Sequence, residues 1–365
     1  MSRSWAQEEI ANEALPPASV EQSVSPMERF VERPFWLLPE RASFFPWLKE
    51  QLKDTPPFFR DTKLDVNLRT YYLNAGNLTG PRNEALATGG SLSYQSGWLL
   101  DRLSVGSVFY TSLPLYGPAD RDGTLLLEPG QKGYAVLGQL YARVRLVDNV
   151  FLNLYRYTYD TPYLSRHDDR MTPNTFEGYT LTGKVGGKDG GPELKFGGGY
   201  ILKIKGRNDD DFVWMSRAAG ASVDRGVGVL AAWFSYRGFS IGAIDYYSDD
   251  IINIGYGEAK YVTTLAGRLG LLFSAQFTGQ RSVGDNLLMG VPFSTNQLGL
   301  QAGASYESAV LTLAYTRDGT GANIQTPWSD TPGYTSAMVQ KFKNAGQQAV
   351  FVKGSYDFST LGLRA

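Results

Sequence analysis

From Lys63 to Phe358 the chain alternates apolar and polar residues with period two, in successive stretches of roughly ten residues, the length an outer-membrane strand needs. In KLDVNLRTYYL, Leu64, Val66 and Leu68 alternate with Asp65, Asn67 and Arg69. In GQLYARVRLVDN, Gly138, Leu140, Ala142, Val144 and Leu146 alternate with Gln139, Tyr141, Arg143 and Arg145. A strand sends successive side chains to opposite faces, so each stretch is a two-faced strand, one side greasy and the other polar or charged. No other single feature limits the fold as much. It excludes a helical bundle and leaves a sandwich or a barrel.

The pattern recurs in RLSVGSVFY (Leu103, Val105, Phe109), Val150–Tyr159, Thr175–Val185, Glu193–Lys205, Gly226–Tyr236 and Phe239–Tyr247. It closes with Arg268–Gln280, Asn296–Tyr306, Ala309–Arg317 and Ala349–Phe358. With weaker stretches at Gly89–Trp98 and Glu258–Leu265, about 14 strands are predicted. The separators alternate in kind. VDN after Leu146, Arg237–Gly238 and Glu307–Ser308 are short, whereas Asp160–Asn174, Gly206–Arg225 and Asp318–Gln347 are long and polar. Short turns at one end and long loops at the other describe a barrel of the outer-membrane type, whose strands must be long enough to cross the hydrocarbon at a tilt. No helix-period segment after Lys63 is available to cover so large a sheet. The apolar face is therefore assigned to lipid and the face of Arg143 and Arg145 to a wet lumen, with closure removing the sheet edges. Tyr155, Tyr157, Tyr159, Tyr246 and Tyr247 are expected at the membrane interfaces.

Composition narrows the chemistry. The 365 residues include no cysteine and one histidine, His167, and carry a formal net charge of -1. Disulfides, thiolate catalysis and cysteine-held zinc are excluded, a Ser/His/Asp triad would have to use His167, and no basic face for nucleic acid is expected. High Gly, Tyr and Phe counts (41, 22 and 19) favour strands and turns. No apolar run is long enough for a membrane-spanning helix.

Residues 1–58 differ in texture, with many prolines and one short helix predicted at Pro46–Lys53 with proline at its first position. They are read as a leader ahead of a barrel over residues 59–365. Ser4 and Ala6 in MSRSWAQEE resemble the end of a signal cleavage site, so an export signal is read as trimmed or missing.

Four separated stretches resemble the OprD family of outer-membrane porins. They are FFRDTKLDVNLRTYYLN (Phe58–Asn74), DTPYLSRHDDRMTPNTFEGYTL (Asp160–Leu181), DDFVWMSRAAG (Asp210–Gly220) and NIQTPWSDTPGYTSAMVQKFKNAGQQA (Asn323–Ala349), in the expected order. The resemblance implies an all-β, transmembrane antiparallel β-barrel of about 18 strands, monomeric and narrowed by inward loops. It implies passive uptake of small carboxylates, such as amino acids and aromatic or other organic acids, across the outer membrane of a Gram-negative bacterium. The leader is longer than the pattern, and the chain stops where another strand is due, which the resemblance reads as a truncated C-terminus.

Uptake needs no covalent step, cofactor or metal; it needs a constriction and charges that ease a carboxylate out of bulk water. Arginine suits this by its planar fork, and a row of weak sites lets a solute move on. Parity places Arg69, Arg143, Arg145, Lys195, Lys203 and Lys205 on the lumen as a basic ladder. The family resemblance adds Arg156, although it shares its phase with Leu152 and Leu154. Asp168 and Arg170 in SRHDDR, and Tyr334, Thr335 and Ser336 in SDTPGYTSA, are candidates for the constriction loops. The acidic run Arg207–Asp211 lacks the spacing of a calcium loop and is read as exposed. The three glycines of KFGGGY are read as a bend or a close approach of a loop. The expected partners are small anionic or zwitterionic solutes and outer-membrane lipid. A general diffusion pore and a plugged structural or adhesive barrel remain alternatives.

Overall fold

The computed structural model describes residues 46–76, 82–329, 332–337 and 341–358. The proposed cleavage site and most of the leader lie outside them. Two short helices, α1 (Pro46–Gln51) and α2 (Pro57–Arg60), precede the sheet. The strands are β1 (Lys63–Ala75), β2 (Asn83–Gln95), β3 (Leu103–Tyr116), β4 (Tyr134–Val147), β5 (Val150–Tyr157), β6 (Asp160–Thr161), β7 (Leu164–Ser165), β8 (Thr175–Gly186), β9 (Glu193–Lys205), β10 (Phe212–Trp214), β11 (Val227–Tyr236), β12 (Phe239–Ser248), β13 (Ile252–Leu265), β14 (Leu269–Arg281), β15 (Ser294–Tyr306), β16 (Ala309–Asp318) and β17 (Gln348–Tyr356). A third short helix, α3 (Met215–Ala218), follows β10.

The long strands form one antiparallel meander, β1-β2-β3-β4-β5-β8-β9-β11-β12-β13-β14-β15-β16-β17. β6 and β7 pair only with each other, and β10 adds to the end of β9. Among the described residues no ladder joins β17 back to β1. Short connections at 148–149, 237–238, 266–268 and 307–308 share one end, and the loops 117–133, 158–174, 206–226 and 319–347 share the other. By the porin convention the short end is periplasmic. The tight turn at Arg237 (φ 47) and Gly238 (φ 80) places two consecutive residues at positive φ, which matches the twist of the hairpin it closes.

Burial is inverted relative to a soluble sheet. On β14, Phe273 and Phe277 are half exposed, while Gln276, Thr278 and Gln280 between and beyond them are buried. Leu68 is 85% exposed and Leu230 71%. A soluble sandwich would pack those leucines inward, so the greasy face is the lipid face. The inside is filled by loops. Tyr163 and Leu164 from loop 158–174, Met215 from α3, and Ile324 and Trp328 from loop 319–347 pack on Ile201, Val227, Ile244 and Tyr246 of the wall. Polar ties complete the packing: Trp328 Nε1 donates to the Met215 carbonyl at 2.8 Å and Tyr163 Oη to Thr278 Oγ1 at 3.1 Å.

Three expectations of facing need correction. Period two puts Gly138 on the apolar face, but Val108 pairs with Gln139 and Phe109 with Leu137, so Gly138 is an extra residue in a bulge. A Cβ there would meet the Tyr110 ring at 2.6 Å, so Gly138 faces inward. A second shift, at Glu177/Gly178, leaves Leu202 unpaired on β9 and breaks the period-two count between Lys195 and Lys203, although Lys205 still reaches the interior, its Nζ 5.9 Å from the Tyr110 ring and 5.8 Å from that of Tyr134. Of the five tyrosines expected at the interfaces, Tyr155 and Tyr247 are exposed, while Tyr246 is fully buried and Tyr157 and Tyr159 stack on each other inside.

The facing makes a quantitative prediction. Leu230→Arg, mid-strand on the lipid face, should cost about 2–4 kcal/mol of folding free energy in a bilayer. Thr182→Arg on the inner face should cost far less. Urea titration of refolding in vesicles compares the two, and equal losses would contradict the assigned facing.

Candidate functional site

Inner-face residues of neighbouring strands meet in rows set by the register. Arg143 of β4 lies opposite Asn153 of β5, and Asn153 opposite Thr180 of β8. One step toward the periplasm, Arg145 faces Phe151, Phe151 faces Thr182, Thr182 faces Gly197, and Gly197 faces Ala231 of β11. Below these, Lys184 faces Lys195. Loop 158–174, with Leu164, roofs the rows and encloses a cavity of about 220 Å³ against Tyr157, Ile201 and Ile244. Arg143, Lys184 and Lys195 give one side of it positive charge, and the remaining walls are mostly apolar.

The cations of this wall are held in two ways. Lys195 Nζ is 2.8 Å from Glu193 Oε1, and Lys184 Nζ is 3.6 Å from Glu193 Oε2, so Glu193 neutralises part of their charge. Arg143 instead lies 3.9 Å over the Phe151 ring, and Arg145 lies 4.3 Å over Trp98 and 6.0 Å from Phe151. Among the described residues no carboxylate comes within ion-pair distance of either. A ring face stabilises a guanidinium by about 0.5–2 kcal/mol without cancelling its charge. Arg143 Nε and Asn153 Oδ1 are buried and have no hydrogen-bond partner among the described residues, a donor and an acceptor on one row.

A second chamber of about 230 Å³ lies between β1, β3, β4 and the same loop. Arg69 lines it, paired to Asp168 at 2.8 Å and donating to the Arg170 carbonyl. Thr158 borders both chambers. Asp160, on the first, pairs with Arg166, on the second, at 2.5 Å. Burial pushes the Asp160 carboxyl above its ordinary range despite the Arg166 guanidinium, and Asp168 adds to the rise.

The predicted ladder thus splits. Arg143 and Lys195 line the first chamber, Arg145 continues its wall, and Arg69 belongs to the second. Arg156 lies opposite Glu177, bonds that carboxylate at 3.2 Å and stacks 3.9 Å over Phe212, whose ring packs on the buried side of β3 and β4; Tyr155 before it, at φ 76, interrupts the period-two count of Leu152 and Leu154. Lys203 shares that row with Glu177 and lies 5.7 Å from the Trp214 ring. Lys205 is buried under the loops, where it donates to Thr172 Oγ1 and to the carbonyls of Gly206 and Asp209. In the loops, Arg170 donates to Asp169 and to the Thr124 carbonyl. Tyr334 donates to Glu258 of β13 and Thr335 bonds Thr316 of β16, so both hydroxyls fasten loop 319–347 to the wall rather than facing the first chamber. Ser336 Oγ is buried without a hydrogen-bond partner among the described residues. The Glu128, Asp209 and Asp210 carboxylates converge within 4.8 Å in the outer loops, and burial together with Asp210 pushes the Glu128 carboxyl up.

Sequence reasoning passed over Lys184, Asp160 and Arg166. Lys184 is legible by the parity that found Lys195, since Thr180, Thr182 and Lys184 alternate. Asp160 and Arg166 are loop residues, and only the fold of the loop brings them to the lumen.

The model of the OprD family, described as outer membrane porin, matches residues 56–364. Curated proteins give no match. Among solved structures, Pseudomonas aeruginosa OccK9 (OpdG) is similar at 24% identity and a TM-score of 0.74, covering 84% of this chain and 81% of its own. Acinetobacter baumannii OccAB1 is similar at 16% identity and a TM-score of 0.73, covering 85% and 79%. Pseudomonas aeruginosa OpdK, solved with vanillate, is similar at 21% identity and a TM-score of 0.71, covering 84% and 80%. With the meander, the lipid-facing leucines and the loop-narrowed lumen already in place, the chain belongs to the OprD family of outer membrane porins.

Proposed function

We propose that this porin passes small carboxylate-bearing solutes selectively, with Arg143 and Arg145 as the groups that receive the carboxylate. The observation that carries the reading is how these two guanidiniums are held. Arg69, Lys195 and Lys184 spend their charge on Asp168 or Glu193, whereas Arg143 and Arg145 rest on ring faces and keep theirs. An uncancelled guanidinium beside an apolar cavity attracts an amphipathic anion, and two in sequence give it a second weak site to move to. The vanillate in the OpdK structure, a benzoate-type anion, supports the chemical class.

The test is permeation in vesicles containing the refolded chain, comparing benzoate, glutamate and arginine with a sugar of similar size. Benzoate or amino acids should enter faster than the sugar, and Arg143→Ala with Arg145→Ala should slow the carboxylates about tenfold, as losing one charge-assisted contact implies, while sparing the sugar. Equal entry of all solutes would instead mean a general diffusion pore.

The Asp160–Arg166 pair adds a pH dependence. Because the Asp160 carboxyl lies above its ordinary range, it takes up a proton earlier as pH falls. The pair then loses its negative member, and the lumen gains positive charge. Anion preference, read as the reversal potential in a salt gradient, should rise as pH falls, with its midpoint above the usual aspartate range. Asp160→Asn should hold the high-preference state at every pH; a titration unaltered by that substitution would rule Asp160 out.

A further inference from the structure

The run Gly197–Gly198–Gly199 in β9 holds three glycines that do different things. Glycine inside a strand weakens it, so each needs a reason. A Cβ on Gly199 would lie 2.2 Å from the Tyr179 carbonyl oxygen, so that position is closed by neighbouring backbone. Gly198 is tight on the other face, where a Cβ would lie 3.1 Å from the Val229 carbonyl oxygen, near Leu230. Gly197 has no such constraint. A Cβ there would meet the Leu181 carbonyl oxygen at 3.4 Å and Thr182 Cγ2 at 3.6 Å, which is ordinary contact, and its φ is not in the left-handed region. The backbone can carry a side chain at Gly197, and the direction in which that side chain would grow is the first chamber.

The row through Gly197 reads Phe151, Thr182, Gly197, Ala231, Ile244 across β5, β8, β9, β11 and β12. Two large side chains flank a floor whose lowest point is Gly197. The chamber lies over that floor, beside the Phe151 ring that carries Arg143. At about 220 Å³ it exceeds the roughly 150 Å³ that accepts a benzene ring, so one ring-bearing solute fits and little volume remains. We infer that Gly197 is the size-determining residue of the channel: its missing side chain sets the largest solute that passes Arg143. This rests on the uptake role proposed above for the chamber.

The experiment measures permeation of a short series in vesicles with the full chain, using acetate, benzoate and 1-naphthoate as anions and glycerol and glucose as neutral solutes. Gly197→Leu should lower the naphthoate-to-acetate and glucose-to-glycerol ratios by about tenfold, the scale on which a filled pocket discriminates, while acetate and glycerol stay near wild type. Gly197→Ala should fall between. Ala231→Leu, which raises the same floor from the next strand, should reproduce the effect and serves if Gly197→Leu does not refold. Unchanged ratios in a refolded Gly197→Leu, or in Ala231→Leu, would overturn the inference. The two readings separate in the neutral series. If wild type shows no preference for acetate over glycerol but Gly197→Leu still cuts the glucose-to-glycerol ratio, the carboxylate reading fails and the size limit stands.

Discussion

In hydrocarbon a backbone amide has no water to bond, and every unmet N–H or C=O costs several kcal/mol. The rest of the molecule follows from that requirement. Each long strand pairs with its neighbour in the chain, so the ladder forms by hairpins, with long connections at one end only. Pairing settled this way leaves side chains free to answer to solvent, and two solvents act on the two faces. Lipid takes Leu68, Leu230, Phe273 and Phe277, while Gln276, Thr278 and Gln280 turn toward the loops and the lumen. The wall is rigid because its backbone has no alternative partner, and a rigid wall can hold two arginines at fixed depth.

Period two is a local property, so most of the wall was legible in the sequence. The strands, their short and long connections, and the inward phase of Arg69, Arg143, Arg145 and Lys195 all follow from counting residues in twos. What parity cannot show is where the count slips. A single unpaired residue at Gly138 turns that position inward, and another at Leu202 puts Lys203 on the row of Glu177. Neither bulge announces itself in composition. Counting in twos puts Arg156 with Leu152 and Leu154, but the positive φ of Tyr155 interrupts the count just before it, and its guanidinium lies over Phe212, which packs on the buried side of β3 and β4. Loop residues were the least legible. Tyr334 and Thr335 looked like hydroxyls available to a solute, yet their partners, Glu258 and Thr316, lie 76 and 19 residues away. Asp160 meets Arg166 across the short β6–β7 hairpin, and the folding of loop 158–174 into the barrel carries that pair to the lumen.

Charge in a narrow lumen presents a conflict that this wall resolves locally. Cations placed together repel, and the ordinary remedy is to interleave carboxylates. Glu193 does this for Lys184 and Lys195, and Asp168 does it for Arg69. A fully interleaved wall would stabilise the protein and attract no anion. Trp98 and Phe151 offer a different compensation for Arg145 and Arg143, since a ring quadrupole offsets part of the desolvation cost and leaves the positive charge to act on whatever enters. The same Phe151 ring begins the row that dips at Gly197. One aromatic residue therefore links the charge that receives a solute to the floor that limits its size. A substitution at Phe151 would disturb both properties together, whereas Arg143 and Gly197 separate them, one acting on charge and the other on volume.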